Sequence, residues 1–304
     1  MQSQTTPQFK DIPDEAVQEH IIPCFENGST ELKNLALTNK TLNYVVTGNQ
    51  DAAQKILEKY PQLIIIKGSV IDPSGRHFKN ISAFELCLWT LDVRYMGAMM
   101  LNCISKATDK DKIKLQLEKQ YNNIKDKGVT YTFDKKIVTE SHFDFKPLID
   151  ALDTYVQNHP NWNNEQRINH WCKMVGKEQA KLPMHVRHHY CNPDESFVSI
   201  PLFGKKKLNR SLDFYDYRNN KELVWDSELI GLGVNFAVIR AGGPQASAWI
   251  PAPRRGLLLL VNADLAAIRG LYKMRTEDLE LLEKQLIQPN HPAEEIQKLS
   301  LKTE

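Results

Sequence analysis

Apolar residues in this chain come in short stripes at helical spacing, and none of their unbroken runs is long. Val17, Ile21, Ile22 and Phe25 form one stripe, and Leu32, Leu35, Ala36 and Leu42 a second. Ala52, Ile56 and Leu57 form a third, and Ile113, Leu117 and Ile124 a fourth. Residues three or four apart share a helix face, so each stripe predicts a helix with one side to bury. The longest apolar run, Gly256–Val261, is far too short to cross a bilayer. A mainly α fold follows, in which stripes must find one another.

Punctuation residues divide these helices. Pro13 stands at a first helical position with Asp11 upstream as a cap, Gly28 marks a turn, and Thr30 caps a second helix. A third helix, from Asp51, stops at Pro61, and "LIIIKGSVIDPSGR" reads as an extended arm turning at Asp72-Pro73-Ser74-Gly75. Ser82–Glu85, "SAFE", is a capping box opening the next helix. Asp92 is placed to cap its successor, which carries Met96, Met99, Met100 and Cys103 on one side; core packing and an adaptable partner surface both suit such a stripe. Helices are expected over 108–127, 146–158 and 163–181, with "VTYTFDKKIV" as a hairpin arm. From Pro183 to Gly256 the chain is rich in Pro, Gly, Asn and aromatics, predicting irregular structure with short strands at "KELVW" and "NFAVIR". Residues 263–286 read as a closing helical pair. The domains expected are a helical motif at 10–48, a helical unit at 50–106, a helical C-terminal domain with short strands at 107–290, and a flexible polar tail at 291–304.

Composition excludes several classes. With 304 residues, 41% hydrophobic and 25% charged, the chain has the make-up of a globular protein. Its net charge is +2, from 39 basic and 37 acidic residues, so no global field draws it to nucleic acid. Five irregularly spaced cysteines suit a reducing compartment, and "MQSQTTPQFK" lacks the apolar region of a Sec signal. The producing cell's cytoplasm is the expected first location.

The first helical pair resembles the F-box. Ile12-Pro13-Asp14-Glu15 is similar to the family's opening, and "ELKNLALTNKTLNYVV" matches its closing segment at Leu32, Leu35, Ala36, Leu37, Lys40, Asn43 and Val46. The first helix is one residue longer than usual, and Leu42 stands where an aromatic is frequent. The resemblance implies docking on a Skp-type adaptor of a cullin–RING ubiquitin ligase. It assigns the contact to Ile12, Pro13, Val17, Ile21, Ile22, Phe25, Leu32, Leu35, Leu37 and Leu42. Residues 50–106, with helix, extended turn and helix pair, resemble a solitary ankyrin-like unit. "LPMHVRHHYCNPDESF", "LDFYDYRNNKELVW" and "GLGVNFAVIRAGG" are similar to segments of Legionella-type effectors exported by the Dot/Icm type IV route. The polar tail "AEEIQKLSLKTE" resembles their export signals. That likeness implies secretion by a non-Sec route into a host cytoplasm, with an unidentified host protein as partner.

The densest chemistry lies in His170, Cys172, His185, His188, His189 and Cys191. His185 and His189 share a helix face, but no standard zinc spacing is met, so no metal and no cofactor is assigned. Cys191 with His185, His188 or His189 and Asp194 is the nucleophile-like set, a thiolate–imidazole pair. "RAGG" and "GLG" lack a Walker lysine and are not phosphate loops, and "GKKKLNR" reads as a solvated basic loop. The leading function is a non-catalytic adaptor. The alternatives are a Cys/His enzyme acting on host proteins and a non-catalytic binding protein.

Overall fold

The computed structural model describes residues 30–198, 201, 203–205, 207–216, 220–225, 237–240, 246–248 and 258–287. The fold is mainly α with short strands, and the described chain falls into two compact units. The first takes the described residues up to Cys87 together with Met96–Thr139. The second takes Leu88–Tyr95 and the described residues from Glu140 onward.

In the first unit, α1 (Thr30–Val46) packs on α2 (Gln50–Lys59) and on β1 (Lys67–Ile71). Asn49 caps α2 by accepting the Ala52 N–H, and Pro61 starts a short 3-10 turn, Pro61–Ile64, where the α-helix can no longer continue. The stretch read as an extended arm is therefore helical at its start and extended only from Lys67. β1 pairs antiparallel with β2 (His77–Ser82) through a bulge between Gly68 and Val70. The turn between them is tied by Asp72, whose carboxylate accepts from the backbone N–H groups of Ser74 and Arg76 at 3.0 and 2.8 Å and from the Arg76 guanidinium at 3.1 Å. Gly75 completes it with φ of +90°, a conformation side chains rarely adopt.

The capping box forms as read: Ser82 Oγ accepts from Glu85 N at 3.1 Å, and Glu85 Oε2 accepts from Ser82 N at 3.0 Å. It opens α3 (Ala83–Thr90). A π-helical turn, Val93–Gly97, leads into α4 (Ala98–Ser105), and Met96, Met99, Met100 and Cys103 are all buried, so the methionine stripe is core. α5 (Lys110–Lys127) buries Ile113, Leu117, Tyr121 and Ile124. A hairpin of β3 (Val129–Phe133) and β4 (Lys136–Glu140) turns on Asp134 and Lys135, with φ of 48° and 63°, the left-handed pair that matches strand twist in a two-residue turn. The sheet order is β1-β2-β3-β4. The helix at 110–127 and its hairpin thus group with the first unit.

In the second unit, α6 (Lys146–Asn158) packs on the long α10 (Leu258–Ile287). The helix expected over 163–181 is broken into α7 (Asn164–His170), a π-helical turn at Trp171–Val175 and α8 (Gly176–Gln179). α9 (Met184–Cys191) follows Pro183. A second sheet has the order β6-β5-β8-β7, from β5 (Asp213–Asp216), β6 (Lys221–Val224), β7 (Val238–Arg240) and β8 (Ala246–Ala248), with only the β5–β8 pair parallel. The Gln179 amide binds both backbone groups of Val238, donating at 2.7 Å and accepting at 2.8 Å. The closing helical pair is instead one helix of 30 residues that runs through Gly270, since a lone glycine costs only about 1 kcal/mol in a helix whose neighbours are packed. Among the described residues, no helix is long and apolar enough to cross a membrane.

α1 and β1 meet at Gly68, where a Cβ would sit 2.5 Å from Asn39 Oδ1 and 2.9 Å from Leu42 Cδ1. Asn39 Oδ1 also accepts the Ser69 N–H at 3.1 Å, so it cannot retreat freely. Gly68→Ala is expected to lower stability by about 1–3 kcal/mol, the usual cost of overpacking, read as a fall in the urea midpoint without loss of helical circular dichroism.

Candidate functional site

α9 carries three histidines, an arginine and a tyrosine in eight residues, and every side chain from His185 to Cys191 is buried. Buried polar groups need internal partners, so the helix dictates what surrounds it. His189 is fully enclosed. Arg275 Nη2, on α10, donates to His189 Nε2 at 3.0 Å, and because a guanidinium cannot accept, that nitrogen must carry a lone pair. The ring proton therefore lies on Nδ1 and is donated to Glu195 Oε2 at 2.8 Å.

The chain of contacts continues on both sides. Arg275 Nη1 donates to Asp278 Oδ2 at 2.8 Å, and Arg94 grips the same carboxylate through Nη2 at 2.6 Å and Nε at 3.0 Å. Arg210 pairs with Asp92 Oδ2 at 3.3 Å and donates to His188 Nδ1 at 3.4 Å. The Tyr95 ring lies 5.0 Å from the Arg275 guanidinium and 5.7 Å from that of Arg210, a cation–π arrangement with both. His185 donates from Nε2 to the Thr90 carbonyl at 2.7 Å, next to Leu91, which turns the chain in a left-handed conformation with φ of 61°. Arg94, Arg210 and Arg275 face Asp92, Asp278 and Glu195, so the cluster is balanced in charge. Arg94 and Arg210, each with a side chain 19% exposed, are its most solvent-exposed members.

Electrostatics follow burial. Desolvation pushes His185 down to about 3 and His188 down to about 2, the latter helped by the Arg210 charge. Burial also lowers His189, against the upward pull of Glu195. Burial alone would raise the Glu195 carboxyl, but its contact with His189 holds it below the ordinary range. All three histidines are neutral at pH 7.

The nucleophile-like set does not form. Burial pushes the Cys191 thiol up, the opposite of an activated thiolate, while His185 is committed to Thr90 and Asp194 is exposed. Among the described residues, no group of three or more His, Cys, Asp or Glu is arranged to hold a metal ion. His170 Nε2 instead meets the Ala151 carbonyl at 2.8 Å. The basic loop is corrected in one residue: Arg210 turns inward to Asp92 and His188, because those two buried groups need a cation and a donor. Asp92, read as a helix cap, is the carboxylate that holds Arg210. Sequence reading singled out neither Arg275 nor Asp278, although both continue the Ile268, Leu271, Leu282 stripe of α10, a signal that could have found them. Glu195, Arg94 and Tyr95 carried no such signal.

Of the residues assigned to adaptor docking, Leu37 and Leu42 are 2% and 0% exposed within the first unit's core, whereas Leu32 and Leu35 are 55% and 50% exposed. Ile12, Pro13, Val17, Ile21, Ile22 and Phe25 lie outside the described residues.

A family model described as the CBUA0006 C-terminal domain matches residues 147–286, from the start of α6 to the end of α10. A Coxiella burnetii protein, "Uncharacterized protein CBUA0006", is 38% identical over 274 residues, covering 84% of this chain and 77% of its own length. The chain belongs to the CBUA0006 family. No solved structure matches it. The family's C-terminal domain supplies His185, His188, His189, Glu195, Arg210, Arg275 and Asp278, while Asp92, Arg94 and Tyr95 come from outside the matched stretch.

Asp278→Ala strands two guanidinium groups and is expected to cost about 3–5 kcal/mol in urea unfolding followed by tryptophan fluorescence. Cys191 is expected to resist a thiol-alkylating probe at pH 7.5 in the folded chain and to react once the chain is unfolded in urea; rapid labelling of native protein would contradict its burial.

Proposed function

We propose that the protein is an adaptor of F-box type, a secreted effector that links a host protein to a Skp–cullin–RING ubiquitin ligase. The observation that carries this reading is the change of burial along α1. Leu37, Leu42, Val45 and Val46 are buried and hold the helix on the first unit, while Leu32 and Leu35, three residues apart, remain exposed on its N-terminal half. Two leucines open to solvent on an anchored helix are a suitable anchor for a partner's groove. Leu37 and Leu42 then serve to position the helix, and contact falls to Leu32, Leu35 and the upstream residues that the resemblance assigns. The ankyrin-like reading of the residues after α1 fits the same proposal as the holder of the host target.

Such a protein needs no catalytic residue, because bringing a target lysine beside a charged ligase raises its effective concentration. The buried thiol of Cys191 supports this over the enzyme alternative. Entry into a host by a non-Sec route belongs to the same proposal.

Immobilised full-length protein is expected to retain a purified Skp-type adaptor. Leu32→Asp with Leu35→Asp is expected to weaken retention at least about tenfold, since burying each leucine contributes about 1.5–3 kcal/mol. Both side chains are exposed, so the double variant keeps the wild-type melting temperature. Failure of the wild type to retain the adaptor would overturn the reading.

A further inference from the structure

Two of the α9 histidines are held by groups that forbid a second proton. His189 Nε2 accepts from Arg275 at 3.0 Å, and His188 Nδ1 accepts from Arg210 at 3.4 Å. Neither guanidinium can release a proton or turn acceptor, so protonating either ring would set an N–H against an N–H and a cation against a cation. We propose that the α9 histidines are an acid-sensitive latch: near neutral pH they lock α9 to α10 and to the Arg210 segment, and in acid their protonation opens the second unit.

The surroundings decide the direction. His189 is faced by Glu195, by Arg275 and the Tyr95 ring, and by the Asp92 charge. His188 is faced by Arg210 from its loop, and by Arg187, His185 and His189 on its own helix. His185 is faced by the Thr90 carbonyl and by the charges of Asp92, Arg275 and His189. Glu195 and Asp92 favour a proton on the rings, but Glu195 is already satisfied by the Nδ1 proton of neutral His189, and Asp92 is paired with Arg210. Beyond Arg275, Asp278 already accepts three hydrogen bonds, two from Arg94 and one from Arg275. Three rings thus stay neutral in the folded chain, while in the unfolded chain each takes up a proton below about pH 6.5. The folded state binds fewer protons, so stability is complete above that pH and falls as pH drops through it. Glu195, held below the ordinary carboxylate range, titrates later than the histidines of the unfolded chain.

The test uses the full-length protein. Between pH 7.5 and 5.0 the folding equilibrium constant is expected to drop, by at most about thirtyfold for each of His185, His188 and His189, read from urea unfolding followed by tryptophan fluorescence. His188→Asn with His189→Gln keeps an oxygen acceptor for each arginine and removes both titrations. It is expected to lose two of those factors, a pH dependence weaker by at most about a thousandfold over the same interval. Equal pH dependence in the double variant and the wild type would overturn the proposal. Should the double variant not fold, proton NMR of the wild-type imidazoles decides: signals of His188 and His189 that stay at the neutral position to pH 5.5 support the latch, and midpoints near 6.5 in the folded protein refute it.

Discussion

The second unit depends on the contact between Arg275 and His189. A guanidinium is always a donor, so its presence fixes which ring nitrogen of His189 is bare, hence which carries hydrogen, and hence why Glu195 must lie on the far side. On the other side the same cation requires an anion, and Asp278 supplies it while also gripping Arg94. Removing a buried polar group costs more than its bond contributed, because its partners are left without solvent or substitute. The arrangement is therefore one cooperative object. Its order along the chain is scattered, with residues near 92, 189, 195, 210 and 275 meeting around Tyr95.

Scattering has a consequence for how the chain divides. Leu88–Tyr95 is flanked in sequence by the first unit, yet it belongs to the second. Phe143 N donates to the Trp89 carbonyl at 2.7 Å, and the Trp89 ring stands edge-on to Phe143, so the segment is stitched in by backbone and by aromatic contact. Asp92 and Arg94 then complete the charge balance. A fragment beginning at Glu140, although it contains the whole stretch that matches the family's C-terminal domain, would bury Arg210 without its carboxylate and leave Asp278 one cation short.

Much of the fold was legible because it is local. Helical stripes placed α2, α5 and α6 closely, the capping box at Ser82–Glu85 formed atom by atom, and the hairpin over 129–140 is present. What escaped was long-range. Nothing beside Arg210 in a run of lysines announces that it turns inward, because the reason lies more than a hundred residues away at Asp92. The histidines of α9 were noticed, but residue type and spacing do not say which groups they meet in the fold. Burial and the two arginine donors decide their use. The closing segment was read as a helical pair, whereas Leu258–Ile287 is one helix that runs through Gly270 between the buried Ile268 and Leu271.

Gln179 gives the second sheet its boundary. Its amide satisfies the donor and the acceptor of Val238 together, and Asp264 accepts the N–H of Arg240 at 3.1 Å, so the free margin of β7 is occupied by side chains where another strand would otherwise fit. Sheets with bare margins recruit copies of themselves. Here a single carboxamide satisfies both backbone groups, and its replacement by an apolar residue would leave the Val238 N–H and carbonyl buried without partners.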